Sequence, residues 1–416
     1  MTHKRIIITL IAALCIGVIA WQLGATLTTK ASIKVGILHS LTGSLAVYEK
    51  TAVDATLLAI NEINQTGGLL GKKIQPIIAD GKSDSVTFAL EAEKLITQEK
   101  ACVLFGCWAS DDRKAVKPIV EKYNNLLFYP AQYEGLENSP NICYTSTTPN
   151  QQAIPATTWC LQNLGKKVFL VGTDELLARA NNEIIKDTIV TFGGEKVAEE
   201  YIQQSDKDLS HIIQKIKATN PDVIINTIFG DANLEFFKQL RAAGITSEKI
   251  PTMSLTIDEH ELQKYGAEYM VGDYGTWSHF QSIERAKNKE FVTKVKKSYG
   301  NDYVISDAME AAYFGVYLWA QAVKKAQTTN ASKVIPALKN QAFDAPEGIV
   351  YIDDKSLHSW SFATVGKIRS DKQFTVLWNS DKAIRPVVYP FFKSKEEWEQ
   401  LLLTWYKQWG NKWSNI

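Results

Sequence analysis

Apolar and polar positions along this chain change period at regular intervals. Short β-branched runs at 33–38, 74–79, 101–105 and 126–129 read as strands. Between them, 46–65, 86–98 and 112–123 carry the spacing of amphipathic helices. Gly67-Gly68 stops the first helix, and Pro76 places the second strand near a sheet edge. The alternation resumes downstream. Strands are expected at 167–171, 197–202, 223–228 and 251–255, and helices at 178–191, 209–218 and 233–243. Residues 141–150 fit a connection between the two units. A long helix follows at 308–326, then a turn at 343–348, and strands of a meander at 349–352, 359–365 and 374–378. The Trp-rich tail from residue 393 is helix-like, and Trp398, Trp405, Trp409 and Trp413 have the spacing of a covered face.

Repeated βα units predict an α/β fold, with two mainly parallel sheets carrying helices on both faces. In such sheets ligands bind beyond the carboxyl ends of the strands. Two facing units would therefore share a cleft built from 39–40, 106–110, 129–133, 172–175 and 229–233. Ala131 and Asp231 fall in two of these loops and join the candidate ligand contacts.

Composition narrows the classes. The 416 residues suffice for two domains, and a net charge of +1 without like-charge blocks argues against a nucleic-acid partner. Lys4 and Arg5 precede an apolar run over 6–21, which predicts that residues 1–32 are a signal peptide or membrane anchor. The remainder is then exported to the periplasm, either free or held at the inner membrane. Cys15 follows Leu14 rather than the small residue of a lipidation site. Cys102, Cys107, Cys143 and Cys160 lack metal-ligand spacing and read as core residues.

Chemistry is sparse. The chain has neither a GxSxG elbow nor an HExxH helix, and its six histidines show no ligand spacing. Gly67–Lys73 lacks the spacing of a phosphate loop and reads as a helix cap and turn. Asp111-Asp112 favours a helix N-terminus electrostatically. The sequence predicts no enzyme, no metal and no cofactor.

Several ordered strings are more specific. Gly36-Ile37-Leu38-His39-Ser40-Leu41-Thr42-Gly43 resembles the first strand and loop of type I periplasmic binding proteins. Phe105-Gly106-Cys107-Trp108 with Arg113-Lys114, Tyr129-Pro130-Ala131-Gln132-Tyr133-Glu134-Gly135, Pro149-Asn150-Gln151-Gln152, Phe280-Gln281-Ser282-Ile283 and Phe343-Asp344-Ala345-Pro346-Glu347-Gly348 resemble its urea- and short-amide-binding branch. The resemblance runs over about 33–390. It implies a two-lobed Venus-flytrap fold with three interlobe crossings, near 146–150, 276–280 and 343–348. Lobe one would hold 33–146 and 280–343, lobe two 150–276 and 348–393, leaving 394–416 as a tail. It further implies lobe closure over urea, an amide or a related small planar nitrogen compound. Delivery to an ABC transporter would follow; the alternative is a tethered or receptor-coupled sensor of the same ligands.

Carried over by position, the resemblance assigns Trp108, Ser110 and Tyr129 to one wall of the pocket. On the other wall the chain departs from the family, with Glu175 and Leu177 where the family carries aromatics. Two readings stand. Glu175 pairs with Arg179 at a helix start. Alternatively it faces the cleft and demands a donor-rich or cationic ligand, because a buried unpaired carboxylate is costly.

Overall fold

The computed structural model describes residues 32–415. The basic and apolar segment at 1–31, and the signal or anchor reading with it, lies outside the described residues. Among the described residues no helix is long and apolar enough to cross a membrane.

Lobe one is built on five parallel strands: β1 (Ile33–His39), β2 (Ile74–Asp80), β3 (Leu104–Gly106), β4 (Leu127–Tyr129) and β5 (Ile142–Tyr144), in the order β2-β1-β3-β4-β5. Pro76 sits on the edge strand, where its missing N–H costs no ladder bond. Helices α1 (Ala46–Gln65), α2 (Ser85–Thr97) and α3 (Ser110–Lys122) connect the strands. Side chains alternate between two cores. Val35, Ile37, Phe105 and Phe128 pack with Trp319, while Leu38, Leu104 and Leu127 pack with Phe88 and Val116. Burial on both faces is why these strands read as unbroken apolar runs. Strand β5 lies within the segment expected to be a connection; three residues are too few to show a period.

Lobe two continues through α4 (Ala153–Asn163), β6 (Lys167–Thr173), α5 (Leu176–Thr191), β7 (Glu195–Ile202), α6 (Ser210–Thr219), β8 (Val223–Thr227), α7 (Ala232–Ala242), β9 (Thr252–Ser254), α8 (Glu259–Tyr265) and β10 (Tyr274–Trp277). The chain returns to lobe one for α9 (Ala286–Tyr299), α10 (Asp307–Ala326) and α11 (Ala331–Leu338). A three-stranded sheet of β11 (Ala342–Asp344), β12 (Ile349–Ile352) and β13 (Ser359–Trp360) follows. Strands β14 (Thr364–Ile368) and β15 (Phe374–Asn379) then join lobe two antiparallel, completing the order β15-β14-β10-β9-β8-β6-β7.

The expected meander is therefore two separate pieces. The expected strand at 359–365 is interrupted, because the chain changes lobe within it. Residues 345–348 form the turn of the β11–β12 hairpin, with Ala345 and Gly348 exchanging main-chain bonds. Val350, Ile352 and Leu357 pack into the lobe-one core, and His358 bridges to Tyr144 beside β5. The third crossing thus lies between Ser361 and Thr364 rather than at 343–348, and 348–360 belongs with lobe one.

Asp307, at the first turn of α10, gathers the other two crossings. One oxygen accepts from Ser278 N (3.1 Å) and His279 N (2.9 Å), and the other from Ser146 Oγ (3.2 Å). The tail helix α12 (Lys395–Gln408) buries Trp398, Leu402 and Trp405 against Leu176, Ala180 and Ile184 of α5, and Trp409 and Trp413 pack partly against the same cluster.

Strand β3 ends on Gly106, at φ +154°, where an added Cβ would stand 1.9 Å from the Leu38 carbonyl oxygen. We expect Gly106→Ala to destabilise the protein by at least about 2 kcal/mol, since β1 and β3 must separate to admit the methyl. Thermal unfolding of the variant beside the parent checks this; an unchanged midpoint would show that the approach is not tight.

Candidate ligand cleft

The turn after β3 sets one wall. Gly106 lies close on β1, Cys107 adopts φ +65°, and the chain then enters α3 through Trp108, Ala109 and Ser110. Asp112 accepts from Ala109 N at 3.2 Å, closing the first turn of that helix. Trp108 is half-buried and stacks on Tyr48 of α1 at 6.2 Å and 23°.

Behind this wall stands a buried guanidinium. Arg113 is fully buried and bonds Glu134 (2.6 Å) and Glu137 (2.8 Å). It also donates to the Ser110 and Tyr129 hydroxyls, each at 3.3 Å, and lies over the Tyr129 and Tyr133 rings. Burial alone would push Glu137 up, but Arg113 and Lys114 override it and hold the carboxyl well below the usual range. Ser110 donates in turn to Glu134.

Tyr129 and Ala131, two of the expected ligand contacts, lie deeper than the others. Both are buried in the lobe-one core. The Tyr129 hydroxyl donates to Trp108 O at 2.6 Å, so it positions the Trp108 turn from behind. Of the lobe-one candidates, Trp108 and Ser110 stand at the wall.

The opposite wall comes from the ends of β6 and β8 and the helices that follow. Arg179 pairs with Asp174 at 2.7 Å, leaving Glu175 out of the expected i,i+4 ion pair. Glu175 instead accepts from the Thr173 hydroxyl at 3.0 Å and faces the acidic groups of lobe one. Burial pushes its carboxyl up to about 7; Asp111 and Glu134 add to the rise, against the pull of Thr173. Burial raises Asp111 as well. Two carboxyls that resist ionisation thus sit on opposite lobes. Leu177 is partly buried at the start of the same helix. Asp231 lies on the rim, its side chain 78% exposed, in an ion pair with Lys264 at 2.7 Å.

Other interlobe contacts were invisible in the sequence. The hydroxyls of Tyr48 and Tyr265 meet across the cleft at 3.2 Å, and Lys264 donates to the Tyr48 hydroxyl at 3.2 Å. Gln132 of lobe one donates to Leu255 O of lobe two at 3.1 Å. Tyr48 was hidden inside a helical period, and only the fold brings α1 against α8. Gln132 lies in a string that carried the resemblance, which was the one signal available for it. The described residues show no group of histidine, cysteine and carboxylate side chains able to hold a metal.

A family model described as a periplasmic binding protein domain matches residues 33–395. Leu/Ile/Val-binding protein homolog 6 of Brucella melitensis is 24% identical over 367 residues, covering 85% of this chain and 90% of that protein. A limonene hydroxylase of Geobacillus stearothermophilus is 33% identical over 119 residues, 29% of this chain, which spans only 22% of that protein's length. Among solved structures, a solute-binding protein of an ABC transporter from Rhodopseudomonas palustris HaA2, in complex with p-hydroxybenzoic acid, superposes with a TM-score of 0.78. It is 24% identical, with 85% of this chain and 98% of that chain covered.

Replacing Arg113 by methionine would strand Glu134 and Glu137. We expect Arg113→Met to cost about 3–5 kcal/mol, the range for breaking a buried pair from one side. Denaturant unfolding followed by tryptophan fluorescence measures it, and a loss below about 1 kcal/mol would show that the carboxylates find other partners.

Proposed function

We propose a ligand from one premise: this chain belongs to the periplasmic binding protein family. It is an extracytoplasmic solute-binding protein whose two lobes close on a small, donor-rich nitrogen compound. Urea, a short amide and a guanidine-like cation are the candidates. The captured solute passes to an ABC transporter, the role carried in the name of the Rhodopseudomonas structure.

The carrying observation is the charge of the cleft. Glu175 and Asp111 look across it from opposite lobes, and the nearby cations Arg113 and Lys114 are already paired with Glu134 and Glu137. A ligand that brings N–H donors, or a positive charge, relieves both carboxyls. p-Hydroxybenzoate, in the name of one relative, brings a carboxylate with no cation, and leucine, isoleucine and valine, in the name of another, bring one beside their ammonium. A third negative charge in this half-buried space is unfavourable. Trp108 supplies a flat apolar surface for a planar solute, and Ser110 a hydroxyl.

Calorimetric titration with urea, acetamide, guanidinium, leucine and p-hydroxybenzoate tests this. Heat from the nitrogen compounds and none from the carboxylates is the expected result; tighter binding of leucine or p-hydroxybenzoate would overturn the reading. The pH dependence has a fixed sign. A cation requires ionised Glu175, so guanidinium affinity rises as pH climbs through about 7 and levels off above it. Because folding raises this carboxyl, its ionisation costs stability between the unfolded and folded values. Glu175→Gln should therefore melt higher than the parent at pH 8 and show no such gain at pH 4. Equal shifts at both pH values would place Glu175 in solvent.

A further inference from the structure

Residues 413–415 cross between the lobes beside the candidate ligand contacts. The Ser414 hydroxyl donates to Asp111 Oδ2 at 2.9 Å, in lobe one. The Ser414 main chain pairs with that of Glu175, in lobe two, as an isolated antiparallel bridge. Asn415 Nδ2 donates to Asp174 Oδ2 at 2.7 Å, again in lobe two. Back on lobe one, Lys114 Nζ lies 4.3 Å from the centre of the Trp413 ring. One short segment therefore touches both walls of the cleft, next to Ser110 on one side and through Glu175 on the other.

The anchoring of the tail decides what these contacts do. Helix α12 packs Trp398, Leu402 and Trp405 against α5 of lobe two, and the one lobe-one member of that buried cluster, Leu136, lies beside the first crossing. Upstream, Val388 O accepts from Leu136 N at 2.8 Å, beside the first crossing, where Gly135 packs against Pro149. A contact beside a crossing survives rotation of the lobes. The contacts of Trp413 and Ser414 with Lys114 and Asp111 do not, because Asp111 and Glu175 end elements of opposite lobes and separate when the cleft opens.

We propose that the C-terminal segment 413–415 is a latch. It is carried on lobe two and fastened to the start of α3, so that it holds the cleft closed and must let go before solute enters or leaves. The fastening consists of one charge-assisted hydrogen bond and one cation–π contact, with the strand-like bridge fixing the segment's direction. Together they set an open-to-closed ratio that shifts by roughly tens of fold when both are lost. The latch also covers the carboxyl that the ligand reading assigns to solute, and it stands whether or not that reading does.

The test needs no ligand. Nitroxide labels at Leu90→Cys and Val190→Cys, two exposed sites on opposite lobes, report the interlobe distance by pulsed electron resonance in a Cys15→Ser, Cys102→Ser background. The full chain should give one short-distance population. Deletion of 413–416, which removes both contacts, and separately the pair Ser414→Ala with Asp111→Asn, should each add a longer-distance population, while the thermal midpoint stays within a few degrees because α12 remains packed. With a solute found by calorimetry, the deletion should also speed its release by about tenfold or more. Identical distance distributions for the full chain and the deletion would overturn the latch, as would a full chain that is already open.

Discussion

One buried cation organises the wall on which the cleft depends. Arg113 sits on the first turns of α3, yet its partners lie on the chain that runs from β4 to β5. A guanidinium removed from water must be met on several edges at once. Glu134, Glu137, the Tyr129 hydroxyl and the Ser110 hydroxyl together do this. The consequence is geometric. Helix α3 cannot move relative to the 129–137 segment without unpairing a buried charge, so Trp108 and Ser110 are held at a fixed distance from Gln132. The Tyr129 hydroxyl is engaged inside this network, accepting from Arg113 and donating to Trp108 O.

The same economy of polar groups governs the hinge. Asp307 joins the first and second crossings through four donors, and the third passes close by, with Ser359 donating to Thr145 O and Gln151 donating to Ser359 O. Glu310 and Glu347 lie in the same buried region, and burial together with their neighbouring carboxyls raises both. Acids held toward their uncharged form suit a place that must stay dry while it bends, because they demand no counter-ion. The lobes can turn about this knot while each retains its own core.

The sequence showed the βα rhythm clearly because parallel strands buried on both faces are written as apolar runs. It was silent where length or topology decided the outcome. Strand β5 has three residues and no period to read. The alternation of Val350 and Ile352 was visible, but which lobe they face depends on α10, far away in the chain. The site was legible to a similar depth. Trp108 and Ser110 could be named as candidates because they follow a strand end and a recognisable string. Tyr48, Lys264 and Tyr265 could not, since only tertiary packing brings α1 against α8. Glu175 stood out as a departure, yet its direction was undetermined until Arg179 proved to be engaged by Asp174.

That last point connects the site to the tail. A carboxylate released from its helical neighbour and turned toward another acidic wall is a liability in an empty protein. Something with N–H or O–H donors has to stand between Asp111 and Glu175 if the lobes are to approach. Among the described residues, Ser414 stands beside both: its hydroxyl donates to Asp111, while its main chain pairs with the main chain of Glu175, whose carboxyl is left to the Thr173 hydroxyl. The tail thus meets one of the two carboxyls with a donor and leaves the other to a solute. Closing this cleft is a question of where donors come from, and the chain carries some of its own.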